Sequence, residues 1–140
     1  MRSLLRFLIV LIGAITGVSL PTSCAYGTEK PAIFSTIGTV KNDQQKPIPY
    51  IHVQIGVGTD EQPEPTMPDG YYETSEAGRF TIFVYSEQFT GRALNFRLVF
   101  TDADGTANGG EYLPVTVNIP VTDVKDGKND FDVVMNLKAR

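Results

Sequence analysis

Residues 38–56 read GTVKNDQQKPIPYIHVQIG, two stretches of alternating apolar and polar side chains that are joined by a polar segment. Alternation with a period of two is typical of half-buried β-strands, and the polar, proline-containing residues 42–47 are typical of a turn. We therefore predict a strand over residues 34–41 and a second strand over residues 50–56. The second strand places on one face Ile51, Val53 and Ile55.

Five further alternating segments follow, at residues 71–74, 79–85, 93–101, 112–119 and 130–137. Two of them predict inward-facing residues most clearly, namely Phe80, Ile82 and Val84 in one and Leu94, Phe96, Leu98 and Phe100 in the other. Residues 75–78, SEAG, predict a tight turn. Because no segment after residue 33 shows helical periodicity, the predicted fold class is all-β, an antiparallel sandwich of seven strands.

The composition indicates one globular domain. The chain has 140 residues, 41% of them apolar and 20% charged, with a formal net charge of −4. Residues 1–23 contain two of the 12 basic residues and none of the 16 acidic ones, so their removal makes the chain more acidic. Nucleic acid is not expected as a partner, because binding to phosphates needs a cationic surface.

The amino terminus has the three-part layout of an export signal. Arg2 and Arg6 precede an apolar block at residues 7–15, and residues 16–23 are smaller and more polar. As a helix, residues 7–20 would span about 21 Å, which is short of the hydrocarbon core of about 30 Å. We therefore predict a cleaved signal peptide over residues 1–23 rather than a membrane-spanning anchor.

Cys24, the only cysteine, follows the small residues Thr22 and Ser23, with Leu20 upstream. This arrangement resembles a bacterial lipobox, although Pro21 occupies a position where leucine is commonest. The resemblance implies cleavage before Cys24, which would then carry a diacylglycerol thioether and an amide-linked acyl chain. The alternatives are a secretory cleavage that leaves a free thiol and a cysteine that is discarded with the signal. Residues 24–32 are expected to form a lipidated tether, and residues 33–140 the folded domain.

The two quoted strands, together with YETSEAGRFTI at residues 72–82, resemble carboxypeptidase regulatory-like domains. The Thr-x-x-x-Gly-x-aromatic hairpin of that family is met by Thr74, Gly78 and Phe80. The resemblance implies an Ig-like, transthyretin-like β-sandwich and specifies no activity.

Two other segments extend this resemblance. CAYGTEKP supplies Cys24, Tyr26, Gly27 and Thr28, and LVFTDADGTANGGEY supplies Phe100, Asp102, Asp104, Gly105, Asn108, Gly109 and Gly110. Together with the sandwich core they are similar to a family of lipoproteins associated with radical SAM enzymes in gut-type Bacteroidetes. The resemblance implies a membrane-anchored lipoprotein of the cell envelope, whose gene often neighbours a radical SAM enzyme, and it implies no established reaction.

The sequence contains no recognisable catalytic set. His52 is the only histidine and lies on the polar face of a predicted strand, where we expect a solvated side chain. With one histidine and one cysteine, neither a Cys–His pair nor a zinc site of three or four N/S ligands is expected once Cys24 is lipidated. We therefore predict that the protein is not an enzyme and needs no cofactor.

Two segments carry the remaining candidate sites. Asp102, Asp104, Asn108 and Glu111 offer oxygens at spacings that resemble part of a calcium loop, but the pattern is incomplete and Asp-Gly and Gly-Gly are also good hairpin residues. A plain turn is predicted, with calcium as the alternative. The acidic residues 60–69 contain Met67 and lead to Tyr71 and Tyr72. A solvated connection is predicted, with an aromatic contact patch as the alternative.

Two functions are consistent with these features. The first is a non-catalytic envelope module, held at a membrane by Cys24 and binding another protein, a peptide or a glycan through its loops. The second is a polypeptide substrate or accessory partner of a radical SAM enzyme, with Tyr26 as the candidate modified residue. Glu29 is the only acid in the tether, whereas surface display in Bacteroidetes is associated with a run of acids there. We therefore expect the domain to face the periplasm.

Overall fold

The computed structural model describes residues 32–138, which form two β-sheets and contain no α-helix. The seven strands are β1 (Phe34–Asn42), β2 (Ile51–Thr59), β3 (Tyr72–Glu73), β4 (Arg79–Val84), β5 (Ala93–Asp102), β6 (Val115–Pro120) and β7 (Val133–Met135). One sheet has the order β4-β1-β7 and the other the order β3-β2-β5-β6. The described helical segments are three 3₁₀ turns of three residues each, and none could span a bilayer.

The core lies between the sheets and consists of the residues that alternate inward. The predicted faces of β4 and β5 are confirmed for the residues with 2% exposure or less, which include Phe80, Ile82, Val84, Phe96, Leu98 and Phe100. The prediction is wrong for Leu94, which is half-buried and lies at a register shift between β2 and β5. Across the sandwich, the ring of Phe34 stacks on that of Phe96 with a centroid distance of 4.3 Å. Burial of these rings removes a large apolar area from water, which is the main stabilising term of such a core.

The turn predicted at residues 75–78 is confirmed. The Gly78 N–H donates to the Ser75 carbonyl over 2.8 Å, and Gly78 has a φ of 68°, which glycine adopts without steric cost. Thr74, the residue before this turn, is 1% exposed and joins the hairpin to β2. Its hydroxyl donates to the Ile48 carbonyl and accepts the Ile51 N–H, over 3.1 and 2.9 Å.

The prediction that every strand pair is antiparallel is wrong for β1 and β7. These strands are parallel, with Val40 opposite Val133. The residues before β7 also run along β1, where two carboxylates replace backbone acceptors. Asp130 accepts the Ile37 N–H over 3.0 Å and Asp132 accepts the Thr39 N–H over 2.9 Å. No short hairpin joins β1 to β7, so nothing in the local pattern of either strand dictates their relative direction.

The strand boundaries also differ from the prediction, by one residue in β1, β3, β4 and β5 and by up to three residues in the other strands. β2 continues to Thr59, while β6 and β7 are shorter than the predicted segments at residues 112–119 and 130–137. β6 lies at a sheet edge, begins directly after Pro114 and ends at Pro120, and proline cannot donate to a strand ladder. Beyond these limits, Tyr112 and Leu137 form only an isolated bridge.

Candidate ligand-binding cleft

A cleft of about 730 Å³ opens between the two sheets at the end of the sandwich where β2 and β4 leave the core. Its apolar lining includes Ile55 and Val57 of β2, Val84 of β4, and Phe89 from the connection between β4 and β5. Tyr71, directly before β3, and Tyr72, its first residue, also line the cleft. The cleft therefore combines aliphatic and aromatic surface.

The polar lining of the cleft carries no formal charge. It consists of hydroxyl and amide side chains, namely Thr59, Gln62, Thr66, Gln88 and Thr90. The Thr59 hydroxyl accepts the Gln62 N–H over 3.0 Å, and the Gln62 side-chain amide donates to the Thr66 hydroxyl over 2.5 Å. These hydrogen bonds orient the polar groups before any ligand arrives, which lowers the entropy cost of binding.

The acidic segment, residues 60–69, forms one wall of the cleft because it lies against β2. Thr66 makes an isolated bridge with Val57, and the Gln54 amide donates to the Pro68 carbonyl over 2.9 Å. A β-carbon on Gly58 would lie 2.3 Å from the Pro63 carbonyl oxygen, so the close approach requires glycine there. Most residues of this segment are exposed, as predicted for a solvated connection, but its backbone also contacts the sheet at these points.

His52 is not the solvated side chain that the sequence predicts, since only 26% of it is exposed. Its ring stacks on Tyr71 with a centroid distance of 3.6 Å and an interplanar angle of 14°. Its Nε2 atom lies 3.5 Å from a carboxylate oxygen of Glu73, the opposite residue on β3. His52 thus contacts Tyr71, one of the residues that line the cleft.

The chain around the cleft is strongly acidic. Between Thr59 and Thr74 the acids are Asp60, Glu61, Glu64, Asp69 and Glu73, and that interval contains no Lys or Arg. Asp60 lies 4.0 Å from Arg92, and Glu64 lies 3.3 Å from Arg97. Among the described residues, Glu61 and Asp69 have no ion-pair partner. The cleft therefore lies in a region of net negative charge.

The structure brings together three of the four calcium candidates. Asp102 accepts the Tyr112 N–H over 2.9 Å, and the Asn108 side-chain amide donates to Asp104. A hydrogen bond with Asp102, with burial and the charge of Asp102 as smaller causes, raises the pKa of Asp104. Glu111 instead pairs with the ammonium of Lys138 over 2.8 Å, and this hydrogen bond raises the pKa of Lys138.

Other predicted sites lie elsewhere. Cys24 and Tyr26 are outside the described residues. Within residues 32–138, no three His, Cys, Asp or Glu side chains are grouped closely enough to hold a metal ion. The cleft itself was missed in part, because Gly56 and Gly58 obscure the continuation of β2 to Val57, and because Phe89 lies outside any alternating segment.

Comparison with known proteins shows the fold and no closer relationship. No family model matches the chain, and no curated protein matches it. The crystal structure of transthyretin from Sparus aurata is similar, with a TM-score of 0.50 and 14% identity over 74% of this chain and 87% of that one. A 9R-lipoxygenase from Cyanothece PCC8801 gives a TM-score of 0.40 and 19% identity over 74% of this chain and 16% of that one, too low to support a conclusion. The chain is therefore a transthyretin-like β-sandwich.

Proposed function

We propose that this protein is a non-catalytic binding module of the cell envelope, a β-sandwich lipoprotein that takes up its ligand in the cleft. The observation that carries the proposal is the cleft itself. Its volume of about 730 Å³ falls within the range typical of ligand sites, roughly 300 to 1,000 Å³. It offers aromatic and aliphatic surface with a few oriented, neutral hydrogen-bonding groups, which suits binding rather than bond cleavage.

The envelope location is supported by the amino-terminal sequence. The charged start, the short apolar block and the residues Thr22-Ser23-Cys24 have the order of a lipoprotein signal. Two or three acyl chains on Cys24 would hold the domain stably, since each buried methylene contributes about 0.8 kcal/mol. The resemblance to lipoproteins associated with radical SAM enzymes points to the same place, and the single acid of the tether, Glu29, favours the periplasmic side.

Metabolic labelling with an alkyne palmitate analogue tests the anchor. The full chain, expressed in a bacterial host that processes lipoproteins, should incorporate the label and sediment with membranes. The matched Cys24→Ala variant should lose the label and remain soluble or uncleaved. Labelling of Cys24→Ala equal to that of the wild type would contradict the proposed anchor.

A neutral apolar dye, Nile red, tests the cleft. Its fluorescence should rise saturably with the wild-type protein, and the rise should be lost in Val57→Trp, which fills the cleft. Thr116→Trp adds the same ring on the exposed face of β6 and should leave dye binding unchanged. Thermal melting shows whether each variant is folded. Equal dye binding by folded Val57→Trp and the wild type would contradict the proposed site.

We propose, as a second function, that the chain is a polypeptide substrate or accessory partner of a radical SAM enzyme. It is favoured by the Cys-x-Tyr-Gly-Thr motif, which places Tyr26 two residues after the acylated cysteine. Such a substrate needs no ligand in the cleft, so modification of Tyr26 distinguishes the two functions.

A further inference from the structure

β4 is an edge strand beside the cleft. In the part of the chain that the structure describes, its only ladder partner is β1, with Ser35 opposite Phe83. At the start of β4 the Arg79 N–H and carbonyl bond to Ser75, so the edge that an extended segment of another chain could pair with lies between Phe80 and Val84. An edge strand of this kind is a ready template for strand addition.

The side chains at this edge suit the two faces of an added strand. Successive residues of a strand point to opposite faces, so one set would enter the sandwich beside Val84, which lines the cleft. The other set would lie on the outer face beside Phe83, which is 44% exposed, with Ile37 of β1 next to it at 51%. An incoming strand would thus cover exposed apolar surface on one face and fill the cleft on the other.

The charge of the acidic chain between β2 and β4 indicates which kind of strand would add to β4. The chain from Asp60 to Glu73 carries five acids and no Lys or Arg, and Glu61 and Asp69 are unpaired among the described residues. Complementary charge speeds association and excludes partners of the same sign. A segment with Lys or Arg on either side of its apolar residue would therefore be preferred over an acidic one.

We propose that the ligand is an extended basic peptide segment of another protein, which adds to the edge of β4 and inserts an aromatic or large aliphatic side chain into the cleft. This proposal rests on the binding function proposed above. The backbone pairing would supply affinity, while the cleft and the acidic segment would supply selectivity.

A synthetic heptapeptide tests the proposal directly. The probe has blocked ends and Phe at position 4, with Lys on both sides of that Phe and Thr at alternate positions. It carries a fluorescent label, so that its binding can be measured by fluorescence anisotropy. The Lys peptide should bind saturably, and a peptide with Glu in place of Lys should bind at least tenfold more weakly at low salt. The difference should shrink as salt is added, because salt screens exposed charges.

Two N-methylated forms of the Lys peptide separate strand addition from simple side-chain binding. In an extended peptide, alternate N–H groups point to the same side, so methyl groups at positions 2, 4 and 6 block one edge and those at positions 3 and 5 block the other. One methylated form should bind at least tenfold more weakly than the unmodified peptide, and the other should bind with the same affinity as the unmodified peptide. Equal binding by the unmodified peptide and both methylated forms would overturn the proposal.

The protein variants complete the experiment. Val57→Trp should weaken the Lys peptide at least tenfold, whereas Thr116→Trp should not change its binding. Absence of peptide binding with Nile red binding intact would overturn the peptide proposal and leave the binding cleft standing. If neither the peptide nor Nile red binds, both the peptide proposal and the proposed binding cleft are overturned. Peptide binding that is unchanged in folded Val57→Trp would also overturn the proposal, because the inserted side chain would then have no cleft to enter.

Discussion

The carbonyl oxygen of Phe131 occupies the space in which a side chain on Gly38 would lie. A β-carbon on Gly38 would be 1.8 Å from that oxygen and 2.6 Å from the ring of Phe80. This approach lets the segment before β7 run along β1, with the Phe131 N–H donating to the Ile37 carbonyl over 3.2 Å. The absence of a side chain at Gly38 therefore allows β7 to join β1 in the three-stranded sheet.

Gly38→Ala should destabilise the domain by about 3 kcal/mol, at the upper end of the cost of overpacking, because backbone atoms rather than a flexible side-chain end must move. Chemical denaturation followed by circular dichroism measures the change. Gly70→Ala is the control, since nothing lies within 4 Å of its added carbon, and its free energy of unfolding should stay within about 1 kcal/mol of the wild type. Equal effects of both variants would contradict the close approach.

Phe96→Ala should lower the free energy of unfolding by about 3 to 5 kcal/mol, because the side chain is fully buried against Phe34 and its truncation leaves a cavity. Phe83→Ala removes the same ring from a position that is 44% exposed and should cost about 1 kcal/mol or less. Denaturant titration of both variants checks the difference. A loss at Phe83 as large as that at Phe96 would show that the outer face of β4 is more buried than described.

Asp132→Asn should make stability less dependent on pH. Hydrogen bonds from Lys41 and from the Thr39 N–H lower the pKa of Asp132, so its ionised form stabilises the folded state. That contribution is present above the unfolded pKa of about 4 and is lost as pH falls through the folded value. The variant should be less stable at pH 7, and its difference from the wild type should shrink below about pH 5. A difference that grew on acidification would contradict this sign.

Asp104→Asn should change the pH dependence of stability in the opposite direction. The pKa of Asp104 is raised by its hydrogen bond with Asp102, so ionisation near neutral pH disfavours the folded state. The wild type therefore gains stability from this group as pH falls through the raised pKa. At pH 7 the variant should be as stable as the wild type or more so, and this advantage should decline in acid. Thermal melts between pH 3 and about pH 7 would reveal the trend.

Millimolar calcium should leave the melting temperature of metal-free protein unchanged. The turn uses Asp102 and Asn108 in internal hydrogen bonds, and Glu111 pairs with Lys138, whereas calcium takes six to eight oxygens. A site with a dissociation constant a hundredfold below the added calcium would stabilise the fold by about 2.7 kcal/mol, a shift of several degrees. Such a shift, if absent in Asp104→Asn, would show that the turn binds calcium.

Co-expression with a radical SAM enzyme should leave the intact mass of the delipidated protein unchanged, because the proposed binding module needs no modification. Mass spectrometry of protein made with and without the enzyme measures this. Tyr26→Phe is the matched control. A change in mass that maps to residue 26 and disappears in the variant would favour the substrate function instead.

The sequence predicts the inward faces of the strands well, because burial on one side imposes a period of two that survives in Phe80, Ile82 and Val84. It also predicts the turn that ends at Gly78, because the residues that form the turn, SEAG, are contiguous in the sequence. It does not predict the parallel pairing of Val40 with Val133, since alternation contains no information on strand direction. Nor does it predict the cleft, whose lining comes from two separate stretches of the chain, residues 55–72 and 84–90.

The pairing of β1 with β7 also determines when the domain can form during synthesis. Val40 and Val133 are neighbours in space but are almost the whole domain apart along the chain, and distant contacts form late and slowly. The three-stranded sheet cannot close until the last strand has left the ribosome. For the exported protein proposed above, the sandwich would therefore stay incomplete until β7 has passed through a secretion channel.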